Sequence, residues 1–159
     1  MDQILRIQMG GATGPSAKAE PVGAYAGLGG RALTSTLVAG EVPPTCHPLG
    51  AENKLVIAPG LLSGSAAAMS GRISVGCKSP LTGGIKESNS GGQAAQVLAR
   101  LGYAAIVLEG KPADNTLYRV FVNKDGVKIE ADNSLRMLGN YDTVEKMKAR
   151  YGDKIATIS

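Results

Sequence analysis

The period of the hydrophobic positions changes several times along the chain, and each change marks an element. LRIQM, residues 5–9, alternates weakly and predicts a first strand, followed by a Gly/Pro/Ser loop through Pro15 and Ser16. Residues 29–39, GGRALTSTLVA, place Leu33, Leu37 and Val38 at helical spacing, with Gly40 as the expected stop. EVPPTCHPLG is a proline-broken connection, and KLVIAPG and RISVGC then read as two short buried strands. A helix is expected over 91–101, with Ala95, Val97, Leu98 and Leu101 available to one side and Gly102 ending it. YAAIVLEG is a buried strand. LYRVFV and VKIEA flank Asn123–Gly126 and predict a hairpin. YDTVEKMKARYG is an amphipathic helix, with Asp142 as N-cap, Glu145 three residues on and Gly152 after its end. KIATIS reads as a last strand. Hairpin and helices without a regular strand–helix–strand repeat point to an α+β fold, a mixed β-sheet platform with a few helices, in a single domain over residues 1–159.

Composition sharpens this picture in one respect. There are 22 glycines in 159 residues, where ordinary usage gives about 11. They follow no triplet period, so each implies a turn, a cap or a close backbone approach. Charge adds less. The formal net charge is +4, but the basic residues form no stripe, and with no Trp and one Phe the chain lacks stacking platforms, so nucleic acid is not the expected partner. The start has no secretory pattern, and LVIAPGLLSGSAAAMSG is too broken by Pro59 and glycines to cross a membrane. Two cysteines, Cys46 and Cys77, suit a reduced, cytoplasmic setting.

Candidate chemistry is sparse. Cys46 has only His47 beside it, which reads as ordinary loop, and Cys77 in a strand reads as a small core residue, so no protein-only metal centre is expected. Carboxylates are few before residue 109, with Glu41, Glu52 and Glu87 the candidates for acid–base work, and Glu87 reads as a solvated loop residue. Three Gly/Ser/Thr-rich turns, Gly60 to Gly64, Ser79 to Gly84 and Ser88 to Gly92, are the stronger signal. The last runs into a helix whose N-terminal N–H groups favour an anion, with Arg72, Lys78 and Lys86 supplying charge and Asn89 an amide. Neither the P-loop nor the dinucleotide fingerprint is present. From the residues alone, KSPLTGGIKESNSGG fits an anion site and a set of plain turns about equally.

The succession GGRALTSTL, HPLGAENKLVIAPGLLSG, SGRISVGCKSPLTGGIKESNSGG and GYAAIVLEGK resembles, in order and spacing, the N-terminal domain of the tungsten-containing aldehyde:ferredoxin oxidoreductases. The resemblance runs from about residue 4 to Ser159, and its KSPLTG…NSGG block is its most specific part. It implies a platform for a tungstopterin (or molybdopterin) cofactor in an enzyme that oxidises aldehydes to carboxylates and passes electrons to ferredoxin or another iron–sulfur acceptor. Arg72 matches the arginine between pterin and [4Fe–4S] cluster, and Asn89 the residue that helps hold a magnesium ion bridging the pterin phosphates. Ser90, Gly91 and Gly92 continue that motif with backbone contacts, and Lys78 and Arg31 stand at matching positions. The CxxCxxxC cluster ligands of the family do not occur here, and its second phosphate-binding glycine segment would follow KIATIS. The expectation is therefore an excised domain, a split-gene product or a small subunit, incomplete without the remaining domains or a large subunit. Its bared face would favour a homodimer or modest stability.

Overall fold

The computed structural model describes residues 1–11 and 14–159; the loop expected after the first strand includes Ala12 and Thr13, which lie outside the described residues. Two compact units follow one another, Met1–Ala113 and Asp114–Ser159. The first is built on β1 (Gln3–Gln8), β2 (Ser16–Pro21), α1 (Gly30–Glu41), β3 (Lys54–Pro59), β4 (Arg72–Lys78), β5 (Ile85–Gly91), α2 (Gln93–Arg100) and β6 (Tyr103–Glu109). The second holds β7 (Tyr118–Asn123), β8 (Gly126–Ala131) and α3 (Asn140–Tyr151).

The six strands of the first unit form one mixed sheet in the order β2-β1-β6-β3-β4-β5. Only β1 and β6 are parallel; the other neighbours run antiparallel. Alternation along the strands sends successive side chains to opposite faces. Val56, Ala58 and Val107 join Leu33, Leu37 and Val38 of α1 in one cluster. Ile57 and Ile73 join Ala95 and Leu98 of α2 in another, flanked by Val75, Ile106 and Leu108. The platform is thus α+β, as its sequence pattern implies, with one helix on each face.

Several elements depart from expectation for identifiable reasons. Ser16, expected in the loop after the first strand, opens the edge strand β2, with Ser16 opposite Gln8 and Pro21 opposite Gln3. Ile85–Gly91, expected as turns, is the other edge strand, β5, paired with all seven residues of β4. Both edges are largely exposed, so neither carries the apolar alternation by which a strand is recognised. α1 runs through Gly40 to Glu41, and the Pro43–Pro44 pair that follows is what stops it. Val97 of α2 is exposed, leaving Ala95 and Leu98 as its buried positions. Gly139, not Asp142, stands at the N-cap of α3, and Asp142 lies in its first turn. Lys154–Ser159 forms no strand. Among the described residues the second unit's sheet is the β7–β8 pair alone, and that segment pairs with neither strand.

A charge network fastens the C-terminal end of α1 to four strands. Glu41 accepts from Arg6 Nη2 at 2.7 Å and Nη1 at 2.8 Å, from Lys54 Nζ at 2.6 Å and from the Tyr25 hydroxyl at 2.9 Å. Arg6 also pairs with Glu20 and Glu109, and Lys54 with Glu109 at 2.9 Å. Burial pushes the Glu41 carboxyl up, but the bonds from Arg6, Lys54 and Tyr25 more than offset it and hold it at about 2. The bonds from Glu41 likewise raise Arg6 despite burial, and those from Glu41 and Glu109 raise Lys54. A carboxylate at a helix C-terminus opposes the helix dipole, so these cations are what make Glu41 tolerable there. Its work is structural, not acid–base.

In the second unit, the Tyr151 ring of α3 stacks on Phe121 with centroids 4.2 Å apart. Arg119 lies over the same ring and pairs with Asp132 and with Glu130 at 2.5 Å. The turn between β7 and β8 is closed by Asn123, whose side-chain oxygen accepts from the Asp125 N–H at 2.9 Å.

Candidate functional site

The polar run that begins at Lys78 folds back along β4, and the register sorts its residues by face. Arg72 lies opposite Gly91, Ser74 opposite Asn89, Gly76 opposite Glu87 and Lys78 opposite Ile85, all on the α1 face; Ile73–Ser90, Val75–Ser88 and Cys77–Lys86 share the α2 face. This register brings Arg72 and Asn89 together. Arg72 Nε donates to Asn89 Oδ1 at 2.6 Å, and Asn89 Nδ2 donates to the Ser74 hydroxyl at 3.0 Å. Ser74 is fully buried, whereas Arg72 and Asn89 are exposed.

Glycines give this pair its room. A Cβ at Gly91 would lie 3.3 Å from Arg72 Nη1, and one at Gly71 would lie 3.0 Å from the Gly92 carbonyl oxygen. Gly92, at φ 122°, adopts a backbone conformation that side-chain-bearing residues avoid, and it is the N-cap of α2 with no side chain capping that helix. The N-terminus of α1 approaches the same end of β4. Its N-cap is Gly29, again without a side-chain cap, and a Cβ on Gly30 would sit 3.6 Å from Ser74 Oγ. Two helices therefore direct uncapped N–H groups toward the end of β4 that carries Arg72, one on each face of the sheet. With the guanidinium they make this end electropositive and rich in backbone donors, which is the chemistry that receives a phosphate.

Other residues singled out by the sequence lie elsewhere. Lys78 is buried with its ammonium on the carbonyls of Cys46, at 2.7 Å, and Pro44, so it ties the proline-rich connection to β4 and does not reach the Arg72–Asn89 pair. The Ser90 side chain is on the α2 face and bonds the Gly91 carbonyl at 3.1 Å. Arg31 is exposed on the first turn of α1. Lys86 bonds the Glu87 carbonyl at 2.8 Å, and one Glu87 carboxylate oxygen is buried without a hydrogen bond, so Glu87 is not the solvated loop residue expected. Cys46 lies in the loop expected for it, with its side chain buried in the α1 core, whereas Cys77, expected in the core, is only half-buried. Among the described residues no group of three or more His, Cys, Asp or Glu could hold a metal ion, and no helix is long and apolar enough to cross a membrane.

Sequence reasoning missed Ser74, Gly71 and the N-terminus of α1. Ser74 carries no motif signal of its own. Its register with Asn89 was recoverable only had IKESNSG been read as a strand.

The mixed α+β platform thus presents glycine backbone, a guanidinium and two helix N-termini at one strand end, a donor set whose chemistry suits an anion. The sequence model described as "Aldehyde ferredoxin oxidoreductase, N-terminal domain" matches residues 4–159, and the chain belongs to this family. The tungsten-containing aldehyde ferredoxin oxidoreductase of Pyrococcus horikoshii is 34% identical over 157 residues, 99% of this chain and 26% of that protein. Its namesake in Pyrococcus furiosus is 45% identical over 102 residues, 64% of this chain and 16% of that protein. Among solved structures, the active-site complex BamBC of benzoyl coenzyme A reductase, in complex with 1,5-dienoyl-CoA, superimposes with a TM-score of 0.85 at 28% identity. The match covers 96% of this chain and 23% of that one. The chain spans about a quarter or less of the length of these relatives.

Proposed function

We propose that the Arg72–Asn89 end of β4 and β5 is the phosphate end of a cradle for a tungstopterin (or molybdopterin) cofactor. On this reading the chain is the N-terminal part of an aldehyde:ferredoxin oxidoreductase. Bound there, the cofactor would supply the two-electron oxidation of an aldehyde to a carboxylate. A [4Fe–4S] cluster would lie in the rest of the enzyme, and ferredoxin or another iron–sulfur protein would accept the electrons. The observation that carries the reading is the arrangement of Arg72: its Nε is held by Asn89, Gly91 leaves it room, and uncapped helix N-termini flank it. The donor set fits a pterin phosphate, since backbone N–H groups and a guanidinium match oxyanion oxygens.

The protein's own residues bind and orient in this scheme. Arg72 offers hydrogen bonds and positive charge toward the pterin, and that charge would favour a reduced cluster nearby. Gly91 and Gly92 let the ligand come close to the backbone. A magnesium ion at Asn89 would draw its ligands chiefly from the phosphates, because Asn89 Oδ1 already accepts from Arg72. The remaining domains or a large subunit would complete the cradle, in a cytoplasmic setting that suits two unpaired cysteines.

Metal analysis of the complete enzyme tests this reading. Tungsten or molybdenum, together with aldehyde-dependent dye reduction that Arg72→Ala abolishes, is the expected result; absence of both metals refutes it. The likeness to BamBC favours a second reading, in which the same platform serves a reductase acting on a coenzyme A thioester. Metal without aldehyde-dependent dye reduction would select it.

A further inference from the structure

The hydrogen-bond chemistry of the Arg72–Asn89 pair leads to a third residue. A guanidinium has donors only, so the Asn89 atom facing Arg72 Nε must be the amide oxygen. The amide nitrogen is then fixed on the other side, where Ser74 Oγ accepts from it at 3.0 Å. Ser74 is cut off from water. It is 1% exposed, and the N-terminus of α1 at Gly30 packs beside its hydroxyl. The relay runs from a buried hydroxyl through a carboxamide to an exposed guanidinium, across three residues on one face of β4 and β5.

We propose that Ser74 is a positioning residue for the anion-binding group. It sets which way the Asn89 amide faces, and through that amide it holds Arg72 by Nε. With Nε committed, Arg72 meets its ligand end-on, through Nη1 and Nη2, for which no hydrogen bond to protein is made among the described residues. Without Ser74 the amide loses the acceptor that fixes it, and the guanidinium is free to rotate to the side-on pose through Nε and Nη2. The ligand class follows from that edge: two oxygens of one phosphate, or two adjacent acceptors of a heterocycle. The relay rests on the protein's own bonds; its use for a cofactor phosphate rests on the reading proposed above.

Hydrogen exchange of the Arg72 Nε–H, followed by 15N NMR on the 159-residue chain, reads the relay directly and without a cofactor. Exchange should quicken about 3- to 10-fold in Ser74→Ala, the range expected for one net hydrogen bond. It should also quicken in Asn89→Ala, and the double variant should exchange no faster than Asn89→Ala alone, since both substitutions cut the same chain. An Arg72 Nε–H that exchanges equally in wild type and Ser74→Ala, or Ser74→Ala adding its full effect on top of Asn89→Ala, overturns the proposal. Should Ser74→Ala prove poorly folded, Ser74→Cys, which keeps the shape but puts a weak acceptor in place of the hydroxyl, takes its place with the same expected result and the same refuting one. In a parallel arm, inorganic pyrophosphate is titrated by calorimetry. A Ser74→Ala loss of about 3- to 10-fold that vanishes in the Asn89→Ala background supports end-on positioning. Wild type failing to bind pyrophosphate counts against the cofactor reading, while the exchange result stands on its own.

Discussion

Replacing Glu41 by Gln should weaken the first unit in a manner that depends on pH, with a sign fixed by its surroundings. The carboxylate takes four hydrogen bonds from Arg6, Lys54 and Tyr25, and they lower its ionisation from the ordinary 4.5 to about 2. Were the whole difference realised, ionised Glu41 would stabilise the fold by about 3 kcal/mol. About a fifth of its side chain is still open to water, and solvent screening reduces this to about 1–2 kcal/mol. A carboxyl held below its unfolded value contributes fully above that value and loses its contribution as pH falls through the folded one. Urea unfolding of wild type and Glu41→Gln should therefore differ by about 1–2 kcal/mol at pH 7. The gap should begin to close below about pH 4.5 and disappear only as the pH falls through and below 2, where wild type becomes protonated too. A gap that stays constant from pH 7 to pH 2, or none at pH 7, would refute the assignment of Glu41 as the ionised hub of this network.

Gly76→Ala should destabilise the first unit by about 1–3 kcal/mol by urea unfolding, since its Cβ would stand 2.7 Å from the Cβ of buried Thr34 and push α1 off β4. Lys78→Met should lower the melting temperature, because it strands the carbonyls of Pro44 and Cys46 at a cost of about 1–3 kcal/mol; an unchanged melt would show that those carbonyls find water. Gly91→Ala should leave the circular dichroism spectrum intact yet cut tungsten or molybdenum occupancy of the complete enzyme several-fold, by displacing Arg72 Nη1. Tyr151→Leu should cost the second unit about 0.5–1.5 kcal/mol through loss of the Phe121 stack, seen as faster amide exchange in β7 and β8 with β1 and β6 unaffected.

What the sequence revealed of the fold follows burial. α1, β3, β4 and β6 were legible because Leu33, Leu37, Val56 and Val107 must reach a core, and that requirement imposes a period. β2 and β5 owe their conformation to a neighbouring strand's backbone, which leaves no trace in side-chain pattern, so SAKAEP carries no strand signal and IKESNSG reads as turns. KIATIS shows the converse: its alternation suits a strand, but β-structure needs a ladder partner that the residues themselves cannot supply. In the candidate site, the proximity of Arg72, Asn89 and the glycines follows the motif that the resemblance singled out. Lys78 illustrates the limit. A lysine beside a polar loop looks like an anion ligand, and only the tertiary position of Pro44 and Cys46 turns it inward.

The place of β6 in the sheet has a consequence for how the chain is made. Tyr103–Glu109 lies between β1 and β3, pairing in parallel with one and antiparallel with the other. During synthesis from the N-terminus, β1 and β2 can close as one ribbon and β3, β4 and β5 as another, but no backbone ladder joins the two ribbons until the ribosome has delivered β6. Two-ribbon intermediates with open inner edges are the species that pair wrongly with other chains. A nascent chain stalled before Tyr103 should be caught by chaperones, and one extended past Ala113 should be released as a closed sheet.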